Sequence, residues 1–171
     1  DGFNRFEQGN IVLKWIQLPP ITNDSFESPS VITEMNSTLT TTNFEATSQI
    51  DEPNHRGDIA ATAHSSIWFS WTAPFDGQVI FDTFGSHFDT VIASYSGSTL
   101  GSLMPLAQND DVGGLHQSRI RFQAVTGITY HIAVDGYDAE EQGLVLLTIS
   151  KPFCWSAFYP AIFNRSGKRR Q

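Results

Sequence analysis

The groups in this chain best suited to chemistry are carboxylates in loops. The stretch FDTFGSHFDT, residues 81–90, repeats Phe-Asp-Thr seven residues apart and sets Asp82 and Asp89 on either side of a glycine-containing turn. Asn109-Asp110-Asp111, Asp135 with Asp138, and Asp51-Glu52 with Asn54 are the other dense clusters. A hard cation such as Ca²⁺ recruits about six to eight oxygens of this kind from flexible loops. Asp110, Asp111 and Asp135 are accordingly the candidate metal ligands, and Ca²⁺ is the one cofactor the sequence suggests. None of these clusters has EF-hand spacing, which alternates ligands around a central glycine and closes on a glutamate. Aspartates also cap the free N–H groups of turns, and that structural duty is the leading expectation for Asp82 and Asp89.

Catalytic groupings are weak. Gly97-Ser98-Thr99-Leu100-Gly101 has the glycines of a nucleophile elbow but a threonine where the nucleophilic serine belongs. There is no HExxH, and His55, His64, His87, His116 and His131 show no metal-ligand spacing. His131 falls at an outward strand position and is expected to be solvated. A Ser-His-Asp triad assembled from distant positions is the one arrangement left open. The expectation is a protein that is not an enzyme. Asn23, Asn36 and Asn164 head glycosylation sequons, which would mark surface sites in a host that glycosylates them.

Charge narrows the partners. Residues 1–150 hold all 18 acidic side chains against Arg5, Lys14, Arg56, Arg119 and Arg121, a net −13, while the last 21 residues carry five bases and no acid. A nucleic-acid surface on the body is unfavourable, because phosphates need the opposite sign. No run approaches the roughly 20 apolar residues of a membrane-spanning helix. The chain starts at Asp1 without a signal peptide and reads as a processed or trimmed product. Its single cysteine, Cys154, allows no intrachain disulfide and lies in an aromatic run, as a small packed residue would.

The elements that must hold these loops are strands. SRIRFQA (118–124) sets Ile120, Phe122 and Ala124 against Arg119, Arg121 and Gln123, and ITYHIAV (128–134) alternates from Ile128 to Val134. Val125-Thr126-Gly127 between them reads as a tight hairpin turn, with Gly127 at positive φ. IWFSWTA (67–73), QVIFDTF (78–84), DTVIASY (89–95) and GLVLLTI (143–149) are further strands, with weaker ones near 31–35 and 38–47. The spacing predicts at least seven strands in an all-β, two-sheet antiparallel sandwich. Trp68 or Trp71, Phe81, Ile92, Phe122, Ile132 and Leu146 are its expected core.

Several phrases together carry a family resemblance: ITNDSF (21–26), EATSQIDEPNH (45–55), SSIWFSWTAPFDGQVIFDTFGSHFDTVIASYSG (65–97), LAQNDD (106–111), SRIRFQAVTGITYHIAVDGY (118–137) and GLVLLTI (143–149). In order and spacing they resemble the bacterial pre-peptidase C-terminal domain over about residues 22–149. The resemblance implies a jelly-roll-like sandwich, secreted and non-catalytic, of a kind commonly appended to proteases and other hydrolases. It also implies possible calcium binding, as in related collagen-binding modules.

Outside that span lie an apolar N-terminal extension, residues 1–21, and an aromatic then basic C-terminal extension, residues 150–171. Ile11, Leu13 and Trp15 in the first, and Phe153, Trp155, Phe158, Tyr159 and Phe163 in the second, are the candidate assembly residues. An extracellular structural subunit that adds its own strand to a neighbouring copy would use such segments. The competing reading is an accessory module that binds an extracellular polymer, collagen or polysaccharide.

Overall fold

The computed structural model describes residues 20–57 and 62–152. Among these residues are nine strands: β1 Ser30–Ile32, β2 Ser37–Thr42, β3 Ile67–Thr72, β4 Gly77–Asp82, β5 Thr90–Ser96, β6 Met104–Asn109, β7 Arg119–Ala124, β8 Thr129–Gly136 and β9 Leu144–Ser150. One sheet runs β1-β3-β8-β5-β6 and the other β2-β9-β4-β7. Every pairing is antiparallel except that of β1 with β3. The fold is an all-β, two-sheet sandwich.

Alternation decides which side chains leave water. Phe69 and Trp71 of β3, Ile132 and Val134 of β8, Val79 and Phe81 of β4, Ile120 and Phe122 of β7, and Val145, Leu147 and Ile149 of β9 meet between the sheets. Phe81 stacks on Phe122 with ring centroids 6.0 Å apart, and Trp71 meets Phe81 edge-on at 5.8 Å. A second cluster of Phe26, Trp68, Ala93, Tyr95 and Ala133 covers the outer face of the first sheet. That is why IWFSWT is apolar at nearly every position: β3 is buried on both faces.

Five expectations change. Residues 125–127 form a tight turn with Gly127 at φ 81°, but not a hairpin, because β7 and β8 belong to different sheets. The turn is held by Ala73, whose carbonyl accepts from Gly127 N–H at 2.8 Å and whose own N–H donates to Ile128 O at 2.9 Å. The reversal between the two Phe-Asp-Thr copies likewise carries the chain from one sheet to the other. Leu146 is only half-buried, since Val145, Leu147 and Ile149 take the inward phase of β9. Ile128 precedes its strand and is exposed, and His131 is half-buried with its ring 4.6 Å from that of Phe26.

Of eight connections between successive strands, seven change sheet; only β5 to β6 stays within one. The last two strands take interior places, β8 between β3 and β5 and β9 between β2 and β4. Ile11, Leu13, Trp15, Phe153, Trp155, Phe158, Tyr159 and Phe163 lie outside the described residues, as do Cys154 and Asn164.

Candidate functional site

Three loops meet at one end of the sandwich. The segment leading into β5 supplies Asp89, the loop between β6 and β7 supplies Asp110, Asp111 and His116, and the loop between β8 and β9 supplies Glu141. Val112 and Leu115 form an isolated bridge that folds the second loop back, and His116 O then accepts from Thr90 N–H at 2.8 Å. His116 Nδ1 thereby comes to 2.8 Å from Asp89 Oδ2. Ligand atoms of Asp89, Asp111 and His116 all lie within 4.8 Å of one another. Glu141 Oε2 accepts from Asp89 N–H at 2.9 Å. A cleft of about 270 Å³ opens beside the cluster, lined by residues that include Ser86, His87, His116 and Glu141.

The electrostatics follow from the crowding. Burial pushes the Asp89 carboxyl up; the bond to His116 opposes this, while the charges of Asp111 and Glu141 add to it. Asp110 is raised by burial and then by the charges of Asp89 and Asp111. His116 moves up because its ring donates to Asp89 and feels that carboxylate's charge. Asp89 Oδ1 and Asp110 Oδ1 are both buried and have no hydrogen-bond partner among the described residues. Two carboxylates and an imidazole would suit a divalent cation that takes mixed nitrogen and oxygen ligands, with Asp110 and Glu141 adjoining.

The remaining sequence candidates are elsewhere. Asp135 does not join the cluster: its Oδ2 accepts from His64 N–H at 2.9 Å, and its Oδ1 from Ser65 N–H at 2.7 Å and Gly136 N–H at 2.8 Å. That buried carboxylate fastens the approach to β3 onto the end of β8. The two Phe-Asp-Thr copies also diverge in role. Asp82 Oδ1 accepts from Phe84 N–H at 3.4 Å, as a turn cap does, and its Oδ2 takes Arg119 Nη2 at 3.2 Å. Asp89 faces the cluster instead.

Sequence reasoning missed a buried polar network on the outer face of the first sheet. Glu52 Oε1 accepts from Trp68 Nε1 and His55 Nε2, each at 3.1 Å, and from the Ser66 hydroxyl. Its Oε2 accepts from Gln49 N–H at 2.6 Å. His55 Nδ1 lies 2.8 Å from the Tyr95 hydroxyl. Burial pushes the Glu52 carboxyl up, but the bonds from His55, Ser66 and Gln49 outweigh it and leave the group below the usual glutamate range. The Tyr95 hydroxyl is pushed up by burial and remains a donor. His55 and the Glu52 side chain are almost wholly buried, although Gln49 and Glu52 also line a cleft with Ser48, Pro53 and Asn54. The only sequence signal was Asp51-Glu52 beside His55, which has no regular period.

The two flanks of the sandwich differ. On one, β6 and β7 are tied by Arg119 N–H donating to Asn109 Oδ1 at 2.9 Å. On the other, β1 and β2 each end their sheet, and among the described residues no strand pairs with their outer edges. Between them runs a groove of about 230 Å³ lined by Val31, Ile32, Glu34, Thr38 and Leu39, among others. Val31 is 68% exposed in its mouth.

No family model matches the sequence, and no curated protein matches it. Among solved structures, the chain is similar to the pre-peptidase C-terminal domain of a collagenase from Bacillus anthracis, at 13% identity and TM-score 0.45, covering 71% of this chain and 94% of that one. It is also similar to Aeromonas hydrophila PliG, a periplasmic inhibitor of g-type lysozyme, at 13% identity and TM-score 0.43, covering 71% and 91%. Both likenesses concern fold alone. Among the described residues, no helix is long and apolar enough to cross a membrane.

Proposed function

We propose that this chain is a non-catalytic β-sandwich module of an extracellular assembly, whose copies join through the extensions at residues 1–21 and 150–171. The observation that supports the reading is the open flank. Free strand edges are templates for pairing with another chain, and proteins ordinarily blunt them with charge or cover them. Among the described residues nothing pairs with the outer edges of β1 and β2, which border a groove of mixed polar and apolar lining, and both extensions are rich in apolar or aromatic residues. The test is deletion of residues 1–20, with mass in solution measured by light scattering. The full chain should form species several times the monomer mass and the truncated one should not. Monodisperse monomers from both at high concentration would sink the reading.

A second reading is favoured by the meeting of Asp89, Asp111 and His116. In it a divalent cation such as Ca²⁺ stabilises the loops of a module that binds an extracellular polymer, collagen or polysaccharide. A cation bound only by the folded state raises the melting temperature by mass action. Identical melting curves in chelator and in millimolar Ca²⁺ or Zn²⁺ would remove it.

A further inference from the structure

We propose that Asp89, Asp111 and His116 form a site for a transition-metal cation of the Zn²⁺ class rather than for Ca²⁺; this rests on the cation reading of the same loops. Two segments deliver the ligands: the approach to β5 brings Asp89, and the loop after β6 brings Asp111 and His116. Their meeting is built into the fold. Thr90 N–H holds His116 O at 2.8 Å, and Gln117 Nε2 donates to Ser86 O at 3.1 Å. Because Asp89 adjoins Thr90, the bond that pins the loop also sets the imidazole beside the carboxylate.

What calls for a cation is the state of the carboxylates. Asp89 Oδ1 and Asp110 Oδ1 are shut off from solvent and accept no hydrogen bond from the described residues. A polar atom buried in this way is costly, and a charged one more so. Neighbouring charges add to the cost, those of Asp111 and Glu141 at Asp89, and those of Asp89 and Asp111 at Asp110. Arg56 eases Asp110, but its guanidinium is stacked over Tyr137, 4.4 Å from the ring centroid. A divalent cation among these groups would supply the positive charge in which they are short.

The donor set decides the class of ion. Ca²⁺ collects about six to eight oxygens, backbone carbonyls among them. The carbonyls of the three ligating residues are already engaged here. Asp89 O accepts from Tyr137 N–H at 3.0 Å, Asp111 O from Asn109 Nδ2 at 3.0 Å, and His116 O from Thr90 N–H. An imidazole nitrogen suits Zn²⁺, whereas Ca²⁺ takes oxygen. Zn²⁺ is content with about four ligands, and histidine and aspartate are among its ordinary donors. The cleft lined by Asp89, His116 and Glu141 leaves the remaining position to water or to an outside donor.

The experiment uses the full chain with Cys154→Ser, so that the thiol does not take up metal. Zn²⁺ and Ca²⁺ are titrated separately by calorimetry, and the imidazole nitrogens are followed by NMR. Zn²⁺ is expected to bind as one ion per chain and to shift the His116 nitrogens, while millimolar Ca²⁺ leaves them in place. His116→Gln and Asp111→Asn, both changes at exposed positions, should each weaken Zn²⁺ binding by at least about tenfold, a loss that even the outer partners of metal ligands command. If Ca²⁺ binds at these residues and Zn²⁺ does not, the ion is wrong while the cation reading stands. If Zn²⁺ binds equally well to both variants, the ligands are misassigned and the proposal is overturned. If neither ion binds, the cation reading falls and this proposal with it.

Discussion

The Tyr95 hydroxyl lies 2.8 Å from Nδ1 of His55, whose opposite nitrogen lies 3.1 Å from Glu52. A strand and a loop are thereby locked through one imidazole that solvent does not reach. Glu52 can only accept, so Nε2 carries a hydrogen, and in the neutral ring Nδ1 must take its bond from Tyr95. Tyr95→Phe would leave that nitrogen buried and unpaired. The expected loss is about 1–3 kcal/mol of unfolding free energy, measured in urea. Unchanged stability would show that the loop is held by other contacts.

Glu52 gives the same network an acid sensitivity. Its folded-state ionisation lies below the ordinary 4.5, so its contribution is fully present above that value and is lost as pH falls through the lower folded one. Unfolding free energy followed from pH 6 downward should decline more steeply below about 4.5 in the parent than in Glu52→Gln. Parallel profiles would exclude Glu52 as a source of acid lability.

Phe122 and Leu146 separate the two faces of the second sheet. Phe122 stacks on Phe81 and lies 4.9 Å from the ring of Tyr130, whereas Leu146 is half-buried on the outer side. Phe122→Ala should cost roughly 3–5 kcal/mol. Leu146→Ala should cost less than about 1 kcal/mol. Equal losses in denaturant melts would refute the phase assigned to β9.

His116 should titrate above 6.5, because Asp89 accepts from its ring and stabilises the charged form. A group raised in this way contributes below its unfolded value and ceases to contribute as pH rises through the folded one. Proton NMR of the imidazole should show the elevated midpoint, and Asp89→Asn should lower it toward 6.5. A midpoint indifferent to Asp89→Asn would separate the two residues in solution.

Gly136 ends β8 where the loop bearing Glu141 doubles back. A Cβ there would stand 2.1 Å from the Glu141 carbonyl oxygen, too close for any side chain. Gly136→Ala must therefore displace backbone, at an expected cost of about 1–3 kcal/mol or more. It should also shift the amide resonance of Asp89, which donates to Glu141. A variant as stable as the parent, with that resonance unmoved, would mean the loop yields freely.

Strand identity was legible because one-sided burial imprints a period of two, clearest in Ile120-Arg121-Phe122. Leu146 misled for the converse reason: in Leu144-Val145-Leu146-Leu147 both phases are apolar, so hydrophobicity cannot choose between them. β6 was hidden by Pro105 and by a register shift near Ser94 and Tyr95, which breaks the alternation. Turn chemistry around Gly127 specified a reversal but not which sheet would receive the returning strand. At the loop cluster, the carboxylates of Asp110 and Asp111 stood out as neighbours in sequence. His116 and Glu141 did not, because only the meeting of three separate loops brings them to Asp89.

The placement of β8 and β9 inside their sheets has a consequence for how the protein is made. A chain emerging from the ribosome would expose β1 through β7 before either interior strand existed, leaving β3 without its β8 partner and β2 without β9. Local hairpins could not tide it over, since only β5 and β6 are joined within one sheet. With pairings this distant in sequence, folding is expected to be slow and to wait for the last strands of both sheets. Until residue 150 is free of the exit tunnel, the growing polypeptide would depend on a chaperone, or on an unfolded export route, to stay out of aggregates.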